Sequence, residues 1–456
     1  MKLWNYIKEN ALLHANQIIC ENEAEMSFEE VIIWAELFAK KLEGVKCCAI
    51  LCHSEMAAAM SLLACFAAEV TALPLSARYG KIHCSKILDT ISPDAIIMDS
   101  GGEIKIYKIS DSQYIAPKNP PALIMCTSGT TGKPKGVMLS EENIITNVTD
   151  IAAYFALDKA DNILIPRPLY HCAVLTGEFL LSLTKGAKIR FYSEPFNPPK
   201  MLELIEKYAI TAFCGTPTLL SMMAKFKRKA SHSLKHICIS GECMKTEVAL
   251  PIADAFPYAK IYHIYGLTEA CPRVSYLPPT LFREYPDFVG VPLNSVCLKI
   301  VNKEGKPCAP NEEGILWVKG KNVMLGYYQA PEKTAKVLKN GWLCTGDIAF
   351  INEKGLLKIK GRSDDLIIKS GMNIYPAEIE AALKQTEKVK EVLVYGFENQ
   401  SGVQIGMQIV GDFASTAEVK QLCMDVLPPF QIPTFIKIVT ELPKNASGKI
   451  IRRKQV

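Results

Sequence analysis

The sequence has no long apolar run that is free of charge and proline. Its longest, Met56 to Leu75, contains Glu69 and carries Pro74 near its end. A membrane helix needs about 20 predominantly apolar residues. This stretch is therefore expected to be a buried helix followed by a strand, and no membrane span is expected. Excess charge of one sign is also scarce: 52 Lys and Arg against 47 Asp and Glu leave +5 over 456 residues. That balance points away from nucleic acid as a partner, although anionic ligands would be tolerated. The 16 cysteines include no C-x-x-C pair and no run with metal-ligand spacing. No secretory leader is expected, since the opening MKLWNYIKENALLHANQ reads as an amphipathic helix. Reduced thiols and a cytoplasmic protein are expected. Internal repeats, low-complexity segments and a Walker A loop are missing too.

What is present centres on Leu123 to Ser140, LIMCTSGTTGKPKGVMLS. A short apolar run, Leu123-Ile124-Met125, reads as a buried strand. It breaks into Thr127-Ser128-Gly129-Thr130-Thr131-Gly132-Lys133-Pro134-Lys135-Gly136. Those ten positions hold three glycines, four hydroxyl residues, two lysines and a proline. Glycines let a backbone approach a ligand closely, and successive exposed N–H groups form a nest for an anion. Hydroxyls add donors and lysines neutralise charge, so the loop suits a polyphosphate. Val137-Met138-Leu139 resumes as strand, and Ser140 can cap a helix that starts at Glu141-Glu142.

On either side the chain alternates helix and strand. Ser27 and Glu30 form a capping-box pattern. Strands are expected at 47–52, 70–74, 95–98, 162–165, 188–192, 211–214, 237–239 and 261–265. Helices are expected at 57–68, 82–91, 176–183 and 199–208. This is the pattern of an open, mostly parallel α/β sheet, whose ligands sit beyond the carboxyl ends of the strands. From about Val289 shorter strands and Gly, Pro and Asn turns suggest a β-rich subdomain. Beyond Gly361-Arg362-Ser363-Asp364-Asp365, a helix begins at Pro376. Two strands and a helix then make a small α+β unit.

Further stretches carry possible chemistry. Tyr262 to Glu269 ends a strand with aromatic, hydroxyl and carboxylate groups together. A Tyr face can stack on a purine, and a carboxylate can hold Mg²⁺ against phosphate oxygens; a solvated polar loop is the plainer alternative. Thr345-Gly346-Asp347 places a carboxylate after a tight turn, where it can accept both hydroxyls of a ribose or simply close a Gly-Asp turn. Ser447-Gly448-Lys449 offers a lysine on a glycine-containing loop.

These signals occur in one order over roughly residues 25 to 456. That order resembles the adenylate-forming superfamily of AMP-dependent acid–thiol ligases. Its members include acyl-CoA synthetases, stand-alone adenylation domains and beetle luciferases. TSGTTGKPKG and YGLTE carry the resemblance, and Gly-Arg-x-Asp-Asp with the late Gly-Lys strengthens it. The implied fold class is α/β. A large N-terminal domain of several subdomains, residues 1–361, would bind ATP and the acid. A small mobile α+β domain, residues 362–456, would turn about a hinge at Asp364.

The implied reaction joins a carboxylate to the α-phosphorus of ATP, releases pyrophosphate and passes the acyl group to a thiol. By this resemblance Thr127, Ser128, Gly129, Thr130, Thr131, Gly132, Lys133 and Lys135 hold the β- and γ-phosphates. Gly241, Glu242, Tyr265 and Gly266 line the adenine. Thr268 contacts the α-phosphate, Glu269 binds Mg²⁺, and Asp347 and Arg362 hold the ribose. Lys449 reaches the bond being formed. Gly371-Met372-Asn373 faces the thiol channel. His171 stands beside the acid pocket, with Cys172, Phe213, Cys214, Gly215, His263 and Cys271 as further walls.

Amino-acid-activating members place an Asp soon after His171, whereas here the first acid is Glu178. A buried ammonium without a counter-charge is costly, so the expected substrate is a carboxylic acid without an α-amino group, aryl or aliphatic. Arg273 reads as a pocket charge or a surface ion pair, with the surface pair the default. Coenzyme A is the expected thiol. A phosphopantetheine arm on an acyl or aryl carrier protein is the alternative, and no fused carrier domain is expected. A luciferase-type oxygenase would share every motif. A non-catalytic nucleotide-binding relative would have lost Lys449, Glu269 or the phosphate loop. The motifs leave the oligomeric state open.

Overall fold

The structure is a computed structural model that describes residues 2–75, 77, 81–127, 134–226, 233–369, 372–399, 402–444 and 450–451. The chain divides into two compact units. The first comprises Met1–Glu242, Val248–Leu298 and Trp317–Cys344. The second comprises Cys243–Glu247, Lys299–Leu316 and Thr345–Val456.

The α/β class expected from the sequence is present, but the strands fall into two large sheets rather than one. A seven-stranded sheet runs Gly326–Tyr327, Lys135–Leu139, Leu123–Thr127, Thr71–Pro74, Cys47–Ile50, Ala95–Ser100, Glu103–Lys108. Its four inner strands are parallel and its edges antiparallel. A nine-stranded sheet runs Val291–Pro292, Arg273–Leu277, Lys260–Gly266, His236–Ser240, Ala212–Gly215, Asn162–Ile165, Lys188–Phe191, Ile18–Glu21, Ala24–Ser27. Six adjacent strands of it, from Lys260–Gly266 to Ile18–Glu21, are parallel. Local patterns locate strands, whereas long-range pairing decides which sheet each one joins. Every residue of Cys47–Ile50, Thr71–Pro74 and Ala212–Gly215 is buried. Parallel strands covered on both faces need such unbroken apolar runs.

The helices follow their local signals. Glu55–Ala67 is buried almost all round, as expected for the Met56 to Leu75 stretch. Among the described residues no helix is long and apolar enough to cross a membrane. Ser27 and Glu30 form the reciprocal capping box. Ser140 caps Glu141–Tyr154, with Asn143 completing the box. The helix expected at 176–183 begins earlier, at Cys172, and its hydrogen-bond spacing widens to a π pattern over Leu175–Leu180. All sixteen cysteines are free.

A five-stranded sheet orders Val296–Val301, Gly314–Gly320, Trp342–Ile351 and Leu338–Lys339, with Leu357–Arg362 also paired to Trp342–Ile351. The end of the chain holds a three-stranded sheet, Val389–Asn399, Gly402–Gly411 and Phe435–Ile438. The last strand was not expected from the sequence. It is a partly exposed edge, and its first residue, Phe435, is open to solvent. Helices Pro376–Leu383 and Thr416–Val426 pack Ile379, Leu383, Val419 and Cys423 into a core with Val392, Ile405 and Met407.

Candidate active site

Strand Lys260–Gly266 ends in the turn that carries Thr268 and Glu269. Gly266 lies opposite Arg273, where a Cβ on Gly266 would come within 2.2 Å of the Pro272 carbonyl oxygen. Only glycine fits this close approach. The Leu267 N–H donates to Pro272 O (2.8 Å), and Thr268–Ala270 forms one 3₁₀ turn. Cys271 closes it in the left-handed region at φ 61°. Side-chain amides clamp the turn from outside. Asn322 Nδ2 donates to Ala270 O and Arg273 O, and Asn147 Nδ2 donates to Arg273 O (2.8–3.1 Å). The Met324 N–H donates to Glu269 O (2.9 Å).

The Glu269 side chain accepts a hydrogen bond from the Tyr327 hydroxyl (2.9 Å). Lys135 Nζ stands over the ring of that tyrosine, 5.1 Å from its centroid. Thr127 and Lys135 are cross-strand partners at the mouth of the glycine-rich loop. The Ser128, Gly129, Thr130, Thr131, Gly132 and Lys133 expectations lie outside the described residues. Tyr327 was missed in the sequence, and its Gly-Tyr-Tyr context gives no local chemical signal. Gly241 sits at φ 96°, and Glu242 accepts from the Thr218 hydroxyl (2.6 Å) and backbone N–H (3.3 Å).

Among the described residues no three or more His, Cys, Asp or Glu side chains group to hold a metal. Mg²⁺ is commonly held by one or two carboxylates plus substrate phosphates. Glu269, with Oε1 engaged by Tyr327 and Oε2 left for a cation, fits that requirement.

Of the acid-pocket candidates, Cys172 and Cys271 meet at the π segment through Thr176, whereas His263 packs against the backbone of Pro286 and Phe288. Cys172, Phe213, Cys214, His263 and Cys271 are buried. The Thr176 hydroxyl donates to Cys172 O (2.9 Å) and reaches Cys271 O (3.4 Å), joining the start of this helix to the Glu269 turn. Burial and the nearby Arg167 charge pull His171 down to about 3, and burial pulls His263 down to about 4. Both imidazoles are neutral at pH 7.

Arg273 corrects the surface reading, because it is buried, at 4% exposure. It donates to the Tyr154 hydroxyl (2.7 Å) and to Gly177 O (3.0 Å). A Cβ at Gly177 would fall 2.7 Å from Arg273 Nε, so the glycine makes room for the guanidinium. Glu178 is fully buried and paired with Arg167. Its negative charge is therefore already balanced by Arg167, which leaves no net charge to offset an α-ammonium. Sequence reading gave Arg167 no role, although a lone arginine ending an apolar strand is itself a signal.

Within the second unit, Asp347 and Arg362 face each other across strands Trp342–Ile351 and Leu357–Arg362. Arg362 Nη1 donates to Asp347 Oδ1 (3.1 Å) and Thr345 O (3.0 Å). The Asp347 N–H donates to Thr345 Oγ1 (3.0 Å), whose own proton goes to Leu316 O (2.9 Å). Asp364 lies in the short 3₁₀ turn Ser363–Asp365. Lys449 and Gly371 lie outside the described residues.

Comparison with known proteins adds to this geometry. Residues 8–328 match the model of the AMP-binding enzyme family, and residues 378–449 match the AMP-binding enzyme C-terminal domain. A long-chain-fatty-acid–CoA ligase of Bacillus subtilis is 34% identical over 75% of this chain, which spans 62% of that protein's length. A 2-succinylbenzoate–CoA ligase of Bacillus velezensis is 29% identical over 99% of this chain and 97% of its own. The O-succinylbenzoate coenzyme A synthetase of Bacillus subtilis, solved with AMP, superimposes with a TM-score of 0.88 at 26% identity. That match covers 99% of this chain and 98% of the synthetase. The same enzyme solved with ATP and magnesium ion gives 0.87 at 27% identity, covering 98% of each. The chain belongs to the AMP-binding enzyme family.

Proposed function

We propose that this protein activates a carboxylic acid with ATP as an acyl-adenylate, releases pyrophosphate, and transfers the acyl group to the thiol of coenzyme A. The observation that carries this reading is the turn Gly266–Cys271. It sets Thr268 and Glu269 at the carboxyl end of a parallel strand, and Tyr327 links Glu269 to the side chain of Lys135. Relatives of matching length support it. One is named a 2-succinylbenzoate–CoA ligase, and its structural counterpart has been solved with the acyl-adenylate.

Bringing a carboxylate against a triphosphate crowds like charges, so neutralisation and positioning supply most of the rate. The loop from Thr127 to Lys135 holds the terminal phosphates. Tyr265, Gly266, Gly241 and Glu242 border the adenine, and Asp347 and Arg362 hold the ribose. Thr268 donates toward the α-phosphate, while Glu269 presents Oε2 to Mg²⁺. That ion, when bound, neutralises phosphate charge. Lys449 bridges the carboxylate and α-phosphate oxygens. Residues 362–456 then turn about Asp364, taking Lys449 out of the thiol's path. His171, neutral and half-buried, borders the acid, which bears no α-ammonium because Arg167 already balances the charge of Glu178. Sixteen free thiols support a cytoplasmic setting.

The test is ATP–pyrophosphate exchange across aryl, short-chain, medium-chain and amino acids without thiol, followed by thioester formation with coenzyme A or a carrier protein. Exchange with one non-amino acid and a coenzyme A product are expected. Exchange with amino acids alone, or acyl transfer only to a carrier protein, would overturn the corresponding part of the proposal.

A further inference from the structure

Arg167 and Glu178 form a buried ion pair, with side-chain exposures of 14% and 0%. The pair is made by Arg167 Nη2 and Glu178 Oε1. Their remaining atoms tell a second story. Among the described residues, Arg167 Nε and Glu178 Oε2 are both buried and have no hydrogen-bond partner. One is a donor and the other an acceptor. A buried ion pair is well compensated only when its remaining donors and acceptors are satisfied as well. An unmade buried hydrogen bond is costly.

The pair lies close to two of the residues expected at the acid pocket, His171 and Cys214. Arg167 follows strand Asn162–Ile165 at its carboxyl end, where ligands of parallel sheets bind. Its charge acts on His171, four residues on. Glu178 acts on Cys214. Two residues before Glu178 along its helix, Thr176 bridges the carbonyls of Cys172 and Cys271. Glu178 itself belongs to the π segment Leu175–Leu180, and such segments are frequent at functional sites.

We infer that the acid taken by this site carries a hydroxyl group at its distal end, which accepts a hydrogen bond from Arg167 Nε and donates one to Glu178 Oε2. This rests on the acid-activating reading above. A hydroxyl is donor and acceptor in one atom, so it completes both partners. An alkyl end completes neither and strands both. A second carboxylate completes Arg167 but confronts Glu178 with like charge.

The test measures acid binding by calorimetry, independently of adenylation, for two matched trios. These are ω-hydroxyhexanoate, hexanoate and adipate, and para-hydroxybenzoate, benzoate and terephthalate. At least about tenfold tighter binding of one hydroxy acid than of its unsubstituted parent and its dicarboxylate is expected. The double variant Arg167→Met/Glu178→Met, checked for an unchanged melting temperature, should prefer the parent acid instead.

Equal binding of hydroxy acid and parent would overturn the inference, since a water molecule would then serve the pair. Tighter binding of a dicarboxylate, or no binding by any member of either trio, would overturn it too. Exchange assays on the same acids separate the two proposals. Binding of the hydroxy acid without pyrophosphate exchange would sink adenylation and leave hydroxyl recognition standing. Exchange with the alkyl parents alone would do the reverse.

Discussion

Tyr327 donates its phenol proton to Oε1 of Glu269 at 2.9 Å, across 58 residues of chain. The backbone beside it pairs with the strand that leaves the glycine-rich loop, Tyr327 opposite Val137. Tyr327→Phe keeps the ring under Lys135 and removes one hydrogen bond to a carboxylate. Such bonds contribute about 1.5–3 kcal/mol, or roughly ten- to hundredfold. A rise of that order in the Mg²⁺ concentration needed for half-maximal pyrophosphate exchange is expected, with a parallel loss of Mn²⁺–ATP binding followed by electron paramagnetic resonance. An unchanged metal requirement would leave Tyr327 with packing alone.

Asp347 sits in the second unit with its side chain largely buried and tied to Arg362. Asp347→Ala removes the proposed ribose acceptor and one partner of Arg362. An increase in the KM for ATP of about tenfold or more is expected, since charge-assisted hydrogen bonds are the stronger kind. The variant should also lose any preference for ATP over deoxy-ATP. A variant that still discriminates between the two would place the ribose elsewhere.

Much of this was legible in the sequence because it is local. Unbroken apolar runs announced Cys47–Ile50 and Thr71–Pro74, and Ser27 with Glu30 announced a helix start. The phosphate-loop and Tyr265–Glu269 motifs are contiguous in the chain. Arg273 was not legible, because its burial depends on Tyr154 and Gly177, 119 and 96 residues away. Tyr327 was hidden for the same reason. The division into two sheets was likewise invisible, since each strand's local pattern is the same whichever sheet it joins.

Acid should destabilise the fold through two desolvated histidines. His171 is held at about 3 and His263 at about 4, against an ordinary 6.5. Each therefore binds a proton more weakly folded than unfolded. The neutral-state stability is whole above about pH 6.5 and is lost as pH falls toward about 4 and below, where the unfolded chain takes up protons first. His171→Asn should show a shallower fall in melting temperature over that window. An acid limb as steep as that of the parent would assign the loss to other groups.

The two half-reactions should separate by mutation. Lys449→Ala removes the ammonium proposed to bridge carboxylate and phosphate. It should abolish pyrophosphate exchange while ATP binding, read by calorimetry, stays close to that of the parent. Adenylate formation at the parental rate would remove Lys449 from the chemistry. Asp364→Pro addresses the other step. Asp364 lies in a short 3₁₀ turn, where the pyrrolidine ring fixes φ near −65°. That constraint is compatible with one backbone conformation and opposes rotation into another. Pyrophosphate exchange should survive, and thioester formation from preformed acyl-adenylate should slow. Because the adenylate is supplied in the second assay, a slow first step cannot masquerade as a slow transfer. Equal loss in both assays would mean that the proline damages the fold or the nucleotide site, and the hinge would have to be sought at another residue.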